Sequence, residues 1–174
     1  MTAIVPNNQT RTDGKIVIGV ADMAVSADPN ATLITYALGS CIGVTLYDPV
    51  KQVAGMLHFM LPSPKTSSTD PDMKPAMFAT TGIPLLFKMA YDLGARKENM
   101  IVCAAGGAEI LADNGHFKVG SRNRTMLRKI FWKNNILVSA DDTGGNMSRT
   151  LSLSLADGNV TIRNKGEERS LWPI

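Results

Sequence analysis

The stretch from Thr32 to Pro62, TLITYALGSCIGVTLYDPVKQVAGMLHFMLP, packs three apolar runs so close together that few folds can accommodate it. The runs 33–38, 42–47 and 53–61 are too short for helices and rich in β-branched and aromatic residues, so each is predicted to be a strand. Gly39-Ser40 separates the first from the second. Asp48-Pro49-Val50-Lys51 separates the second from the third, with the residues a type I turn wants: Pro presets φ at the second position, and Asp at the first can bond back to the backbone. The second and third runs should therefore form an antiparallel hairpin.

If Asp48 faces Lys51 across that turn, Cys41 faces His58. Directly opposed residues point to the same face with Cβ atoms about 4.5–5.5 Å apart, close enough for thiol and imidazole to touch. An imidazole beside a cysteine is the usual means of making a nucleophilic thiolate near neutrality. The Gly39-Ser40 break lets the chain turn just before the cysteine, which would aim the Cys41 amide N–H at a developing oxyanion. A free cysteine in an apolar strand and a histidine in HFML are also ordinary core residues. The residues alone leave both readings open.

The rest of the chain suits one globular domain. It has 174 residues, 44% hydrophobic and 19% charged, enough for an ordinary core. Two cysteines do not make a disulfide framework, and two histidines without paired cysteines do not make a closed zinc site. No apolar run reaches membrane-spanning length, and residues 1–15 lack the basic start and apolar core of a signal peptide. A net charge of +3 does not by itself imply nucleic acid. The expected location is the cytoplasm, with no membrane insertion and no cofactor. Residues 1–14 read as a flexible tail, 15–165 as the domain and 166–174 as a C-terminal tail.

Along the domain, 15–25 is a predicted strand. The Ser, Thr, Pro and Asp-rich segment 63–75 is a surface loop that leaves the His58 strand and could border a cleft. Residues 76–93 have helical spacing, and Pro84 predicts a kink or a start near Thr81. Residues 100–105 form an apolar strand ending in Gly106-Gly107, which passes near the site, and Cys103 within it is packing. A second helix runs from a Ser121 cap through Asn134, its Arg122, Arg124, Arg128, Lys129 and Lys133 forming a basic face that is either solvated or meets an acidic partner. Residues 136–140 are a strand, and 149–155 pairs with 160–163 through Asp157-Gly158. Seven to nine strands, several in hairpins, with two helices argue for a mixed α/β domain of the α+β type, largely antiparallel.

LGSCIGVTLYD followed by GMLHFMLP resembles the signature of the CheD family, the chemoreceptor glutamine deamidases of bacterial chemotaxis. The similarity continues through GGAE at 106–109, VGSRN at 119–123 and DDTGGNMSRTLSLSLADGNVTIR at 141–163. It implies a layered α/β sandwich with the cysteine at a strand end. It also implies Cys41 as nucleophile, His58 as base and Thr35 as the residue assisting it. The implied substrates are glutamines on the cytoplasmic helices of methyl-accepting chemoreceptors. Glutamyl methyl esters are accessible to the same chemistry, because an ester is the easier acyl donor. A phosphatase of the CheC type is the implied partner, and a non-catalytic adaptor binding receptor or phosphatase is the alternative. Two segments, DMKPAM at 72–77 and VCAAGGA at 102–108, depart from the family's pattern and bear on how partners are gripped.

Overall fold

The computed structural model describes residues 3–4, 11–12, 14–64, 73–109 and 118–173. In chain order its elements are β1 (Ala3–Ile4), β2 (Arg11–Thr12), β3 (Lys15–Val17), β4 (Asp22–Ser26), β5 (Thr32–Leu38), β6 (Ile42–Asp48), β7 (Val53–Phe59), α1 (Ala79–Asp92), β8 (Ile101–Gly106), α2 (Val119–Lys133), β9 (Ala140–Thr143), β10 (Arg149–Ser154), β11 (Val160–Asn164) and β12 (Glu167–Trp172). Among the described residues these make two six-stranded sheets, ordered β1-β4-β7-β6-β8-β9 and β12-β11-β10-β5-β3-β2. Pairing is antiparallel except at β8–β9 and β3–β5. The expected α+β layered sandwich is what forms.

Three layers result, because the first sheet is covered on both faces. Ile42, Val44, Leu46, Val53, Leu57 and Phe59 pack against Ile83, Leu86, Phe87 and Ala90 of α1 and Leu127 and Phe131 of α2. Tyr47, Ala54 and Met56 pack the opposite way, against Ile16, Leu33, Leu38, Leu151, Leu153 and Ile162 of the second sheet. Every residue of β6 and β7 is buried, so these strands carry no polar alternation. Each large aliphatic side chain so enclosed contributes about 1.5–3 kcal/mol.

The β6–β7 hairpin forms, but not in the predicted register. Asp48 faces Val53 and Gly43 faces His58. The turn chemistry is present, since Asp48 Oδ1 accepts from the N–H groups of Val50 and Lys51 at 2.8 and 3.0 Å. Gln52, in a left-handed conformation at φ 52°, then extends the loop and moves the pairing by two residues. A two-residue slip preserves side-chain parity, so Cys41 and His58 keep a common face without being directly opposed.

Other boundaries also shift. The predicted strand over 15–25 is two strands in different sheets, split where Ala21 turns left-handed at φ 57°. Helix α1 begins at Ala79, earlier than Thr81, and Pro84 lies inside it on the exposed side, where a missing N–H costs least. Helix α2 begins at Val119, so Ser121 is within its first turn and caps nothing. Residues 136–139 are not strand; β9 follows them. Glu167–Trp172, left outside the domain by its polar composition, pairs with β11 as an edge strand anchored by buried Leu171. Within the expected 1–14 tail, Ala3–Ile4 pairs with β4 and Arg11–Thr12 with β3; the rest of that stretch apart from Gly14, and most of the 63–75 loop, lie outside the described residues.

Candidate active site

His58 and Thr35 meet between the two sheets. On β7, Leu57 and Phe59 face the helices, so His58 between them faces the second sheet. On β5, Leu33 and Thr35 share the face that looks back at it. Thr35 Oγ1 lies 2.7 Å from His58 Nδ1 and 2.7 Å from the Ile18 carbonyl oxygen, and both side chains are buried. A hydroxyl has one hydrogen and a carbonyl can only accept, so Thr35 donates to Ile18 and must accept from Nδ1–H. Nε2 is then the unprotonated nitrogen. It is buried and has no hydrogen-bond partner among the described residues. Ile18 is itself held by its N–H donating to the Ile34 oxygen at 2.8 Å, and the His58 carbonyl accepts from Ala21 N–H at 2.9 Å.

Cys41 sits half-buried in the loop between β5 and β6, on the same inter-sheet side. A bulge in β5 leads into that loop, with Ala37 left-handed at φ 56°, so the backbone irregularity expected at Gly39 falls two residues earlier. The loop rests on the turn after β8. Gly107 N–H donates to the Cys41 oxygen at 2.7 Å and Ala108 N–H to the Gly39 oxygen at 2.8 Å. The approach is so close that a side-chain carbon at Gly106 would strike the Cys41 carbonyl, and φ there is 106°. The expectation that Gly106-Gly107 passes close to Cys41 is met.

That turn is laced to a second one. Gly144 N–H donates to the Gly106 oxygen at 2.8 Å and Glu109 N–H to the Gly145 oxygen at 2.9 Å. Two arginines close the arrangement: Arg124 Nη1 donates to the Gly107 oxygen at 2.6 Å, and buried Arg149 donates to the Gly144 oxygen at 2.7 Å while pairing with Asp142 at 3.0 Å. From α2, fully buried Asn123 gives one Nδ2 hydrogen to the Ser40 oxygen at 3.0 Å and the other to the Met60 oxygen at 2.7 Å.

Burial sets the protonation states. It holds the His58 imidazole down at about 4 and pushes the Cys41 thiol up, the latter opposed by the cysteine's own backbone N–H. Near neutrality the pair is therefore neutral thiol and neutral imidazole. Cys103, fully enclosed in β8, is pushed up to about 11.

Thr35 and His58 are thus in contact, and Cys41 shares their face on the neighbouring strand end. The basic face of α2 is not uniform: Arg122, Lys129 and Lys133 are exposed, whereas Arg124 is only part-exposed, bonded to Gly107 and 3.6 Å from Glu109. His116 lies outside the described residues. Sequence reasoning missed Asn123 and Arg149. Asn123 had a signal: it falls at helical spacing with Leu127 and Phe131, a polar residue on an otherwise apolar face. Arg149 had none, since its partners come from two segments far apart in sequence, Gly106 at the end of β8 and the stretch from Asp142 to Gly144.

Comparison with known proteins bears on this arrangement. The family model for CheD, described as chemotactic sensory transduction, matches residues 60–164. The chain is 48% identical over 153 residues to a protein of Syntrophus aciditrophicus named "Probable chemoreceptor glutamine deamidase CheD 1", an alignment covering 88% of this chain and 96% of that protein. The chain belongs to the CheD family. A CheD relative from Solibacter usitatus is 42% identical, with 91% of this chain and 94% of that protein covered, and one from Anaeromyxobacter dehalogenans is 42% identical, with 86% and 94% covered. Both are likewise named probable chemoreceptor glutamine deamidases. As a CheD chain it carries no helix, among the described residues, long and apolar enough to cross a membrane.

Proposed function

We propose that this protein is a chemoreceptor glutamine deamidase in which Cys41 is the nucleophile, His58 the general base and acid, and Thr35 the residue that fixes the His58 tautomer. The observation carrying this reading is the Ile18–Thr35–His58 chain of hydrogen bonds, which leaves an unprotonated Nε2, without a partner among the described residues, on the face shared with Cys41. A histidine needed only for packing has no use for a free lone pair enclosed in protein.

The reaction runs as acyl transfer. Nε2 takes the Cys41 proton as Sγ bonds to the side-chain Cδ of a receptor glutamine, and the carbonyl oxygen becomes an oxyanion facing the Cys41 amide N–H. As the tetrahedral adduct collapses, Nε2–H gives its proton to the departing nitrogen, which leaves as ammonia. Water then attacks the thioester with Nε2 as base, and the sulfur leaves with the proton returned from Nε2–H, giving glutamate. A glutamyl methyl ester reacts in the same steps with methanol leaving. The substrate glutamines lie on cytoplasmic receptor helices, which places the protein in the cytoplasm, and a CheC-type phosphatase is the binding partner.

Mass spectrometry of a receptor cytoplasmic fragment after incubation tests the reading: specific glutamines should become glutamate with release of ammonia, and not with Cys41→Ala. Backbone cleavage instead of ammonia release, or receptor binding with no change in mass, would overturn it.

A further inference from the structure

The three carbonyls of the Cys41 loop are all held from outside the loop. Gly39 accepts from Ala108 N–H, Ser40 from Asn123 Nδ2 and Cys41 from Gly107 N–H. The peptide bonds here are trans, and in a trans unit the C=O and N–H point in opposite directions. The unit joining Ser40 to Cys41 consists of the carbonyl that Asn123 holds and the Cys41 N–H. Fixing the one fixes the other, directed away from α2, and a hydrogen bond to a carbonyl also polarises the amide so that its N–H becomes the stronger donor. Asn123 does more with its second hydrogen. Met60, which accepts it, lies two residues beyond His58 on the same chain segment.

The side-chain amide can face only one way, because both of its nitrogen's partners are carbonyls. Its Oδ1 is left buried with no partner among the described residues. A residue serving stability alone would have both ends satisfied. Asn123 instead leaves an acceptor with no partner among the described residues and joins the loop bearing the nucleophile to the strand bearing the base.

We propose that Asn123 is a positioning residue for deamidation: through the Ser40 carbonyl it aims and polarises the Cys41 amide N–H toward the oxyanion, and through the Met60 carbonyl it sets that donor relative to His58. The inference rests on Cys41 being the nucleophile.

The experiment compares Asn123→Ala, Asn123→Ser and Asn123→Asp with wild type on a receptor cytoplasmic fragment, measuring kcat, KM and, separately, the rate at which iodoacetamide alkylates Cys41. Loss of one oxyanion donor typically costs about 10²–10³ in kcat, and a misaimed donor should cost about 10–10². KM and the alkylation rate should stay within about threefold of wild type, because alkylation builds no oxyanion. Leu127→Ala, one turn along α2 in the helix–sheet core, controls for destabilisation and should keep its kcat. Asn123→Ser retains a small donor should the alanine variant fail to fold. An unchanged kcat in folded Asn123 variants, or an equal loss in Leu127→Ala, would overturn the inference, as would kcat and alkylation falling together. Cys41→Ala in the same assay separates the two readings: if it stays active the proposed function fails as well, and if it is dead while the Asn123 variants are normal only this inference fails.

Discussion

The two faces of the first sheet come from the same strands and differ in kind. Toward the helices it presents Ile42, Val44, Leu46, Leu57 and Phe59, with no hydrogen-bonding side chain among them. Toward the second sheet, β7 presents His58 and β6 presents Thr45, with Cys41 just before β6 and Thr35 meeting His58 from across the gap. Along β6 and β7 both faces are buried, yet dryness acts differently on each. On the helix side it is the stabilising term itself. On the sheet side it holds an imidazole unprotonated and a thiol protonated, and the polar groups survive there because Thr35 and Ile18 satisfy one end of the ring.

Cys41→Ala separates the two faces most completely: it should lower deamidation by about 10⁴-fold or more, measured by ammonia release, while the thermal midpoint barely moves. Leu46→Ala on the other face should do the reverse: a loss of about 2–5 kcal/mol in denaturant unfolding with the turnover of folded protein intact. If either variant shows the other's effect, the division of labour between the faces is wrong.

Acid acts on the sheet side alone. His58 titrates near 4 in the folded chain against 6.5 as a free imidazole, so the unfolded state binds the extra proton first. The contribution is complete above pH 6.5 and declines as pH falls toward 4, by about 3 kcal/mol in all, since each unit is worth about 1.4. Unfolding free energy measured across that window should fall more steeply for wild type than for His58→Asn. Parallel curves would show that His58 is not a dry, neutral group. The acidic limb of kcat/KM should likewise sit near pH 4 and not near 6.5.

Thr35→Val keeps the shape of the site and removes the acceptor for Nδ1–H, so kcat should fall by about 10²-fold as the ring loses its tautomer and orientation. Thr35→Ser should recover most of it. A valine variant with normal kcat would leave the Thr35–His58 contact a structural bond only. The smallest effect belongs to Cys103→Ala: activity unchanged, with a loss of about 1 kcal/mol for the small cavity. Comparable inactivation by Cys103→Ala and Cys41→Ala would remove the distinction between an edge thiol and a core thiol.

Much of this was written locally. The runs that become β6 and β7, the Asp48 turn, the β10–β11 hairpin and the two amphipathic helices all follow from spacing and turn chemistry, which act over a few residues. The common face of Cys41 and His58 was legible for a stronger reason. Side chains alternate with period two, so the mistaken register, off by two, left parity intact. Gln52 in a left-handed turn was not legible, because nothing in its type asks for that conformation.

How segments distant in sequence meet is set by packing between the sheets and helices. The run from 15 to 25 reads as one strand because hydropathy cannot report that Ala21 turns the chain from one sheet to the other. Thr35 reaches His58 only because β5 and β7 lie in different sheets stacked face to face, and Asn123 reaches Ser40 and Met60 only because α2 packs across the end of β6. Residue types and the faces they occupy follow from backbone geometry that acts within a single strand or helix. Which faces come together is set by the burial of both sides of one sheet, a property of the whole chain and of no segment within it.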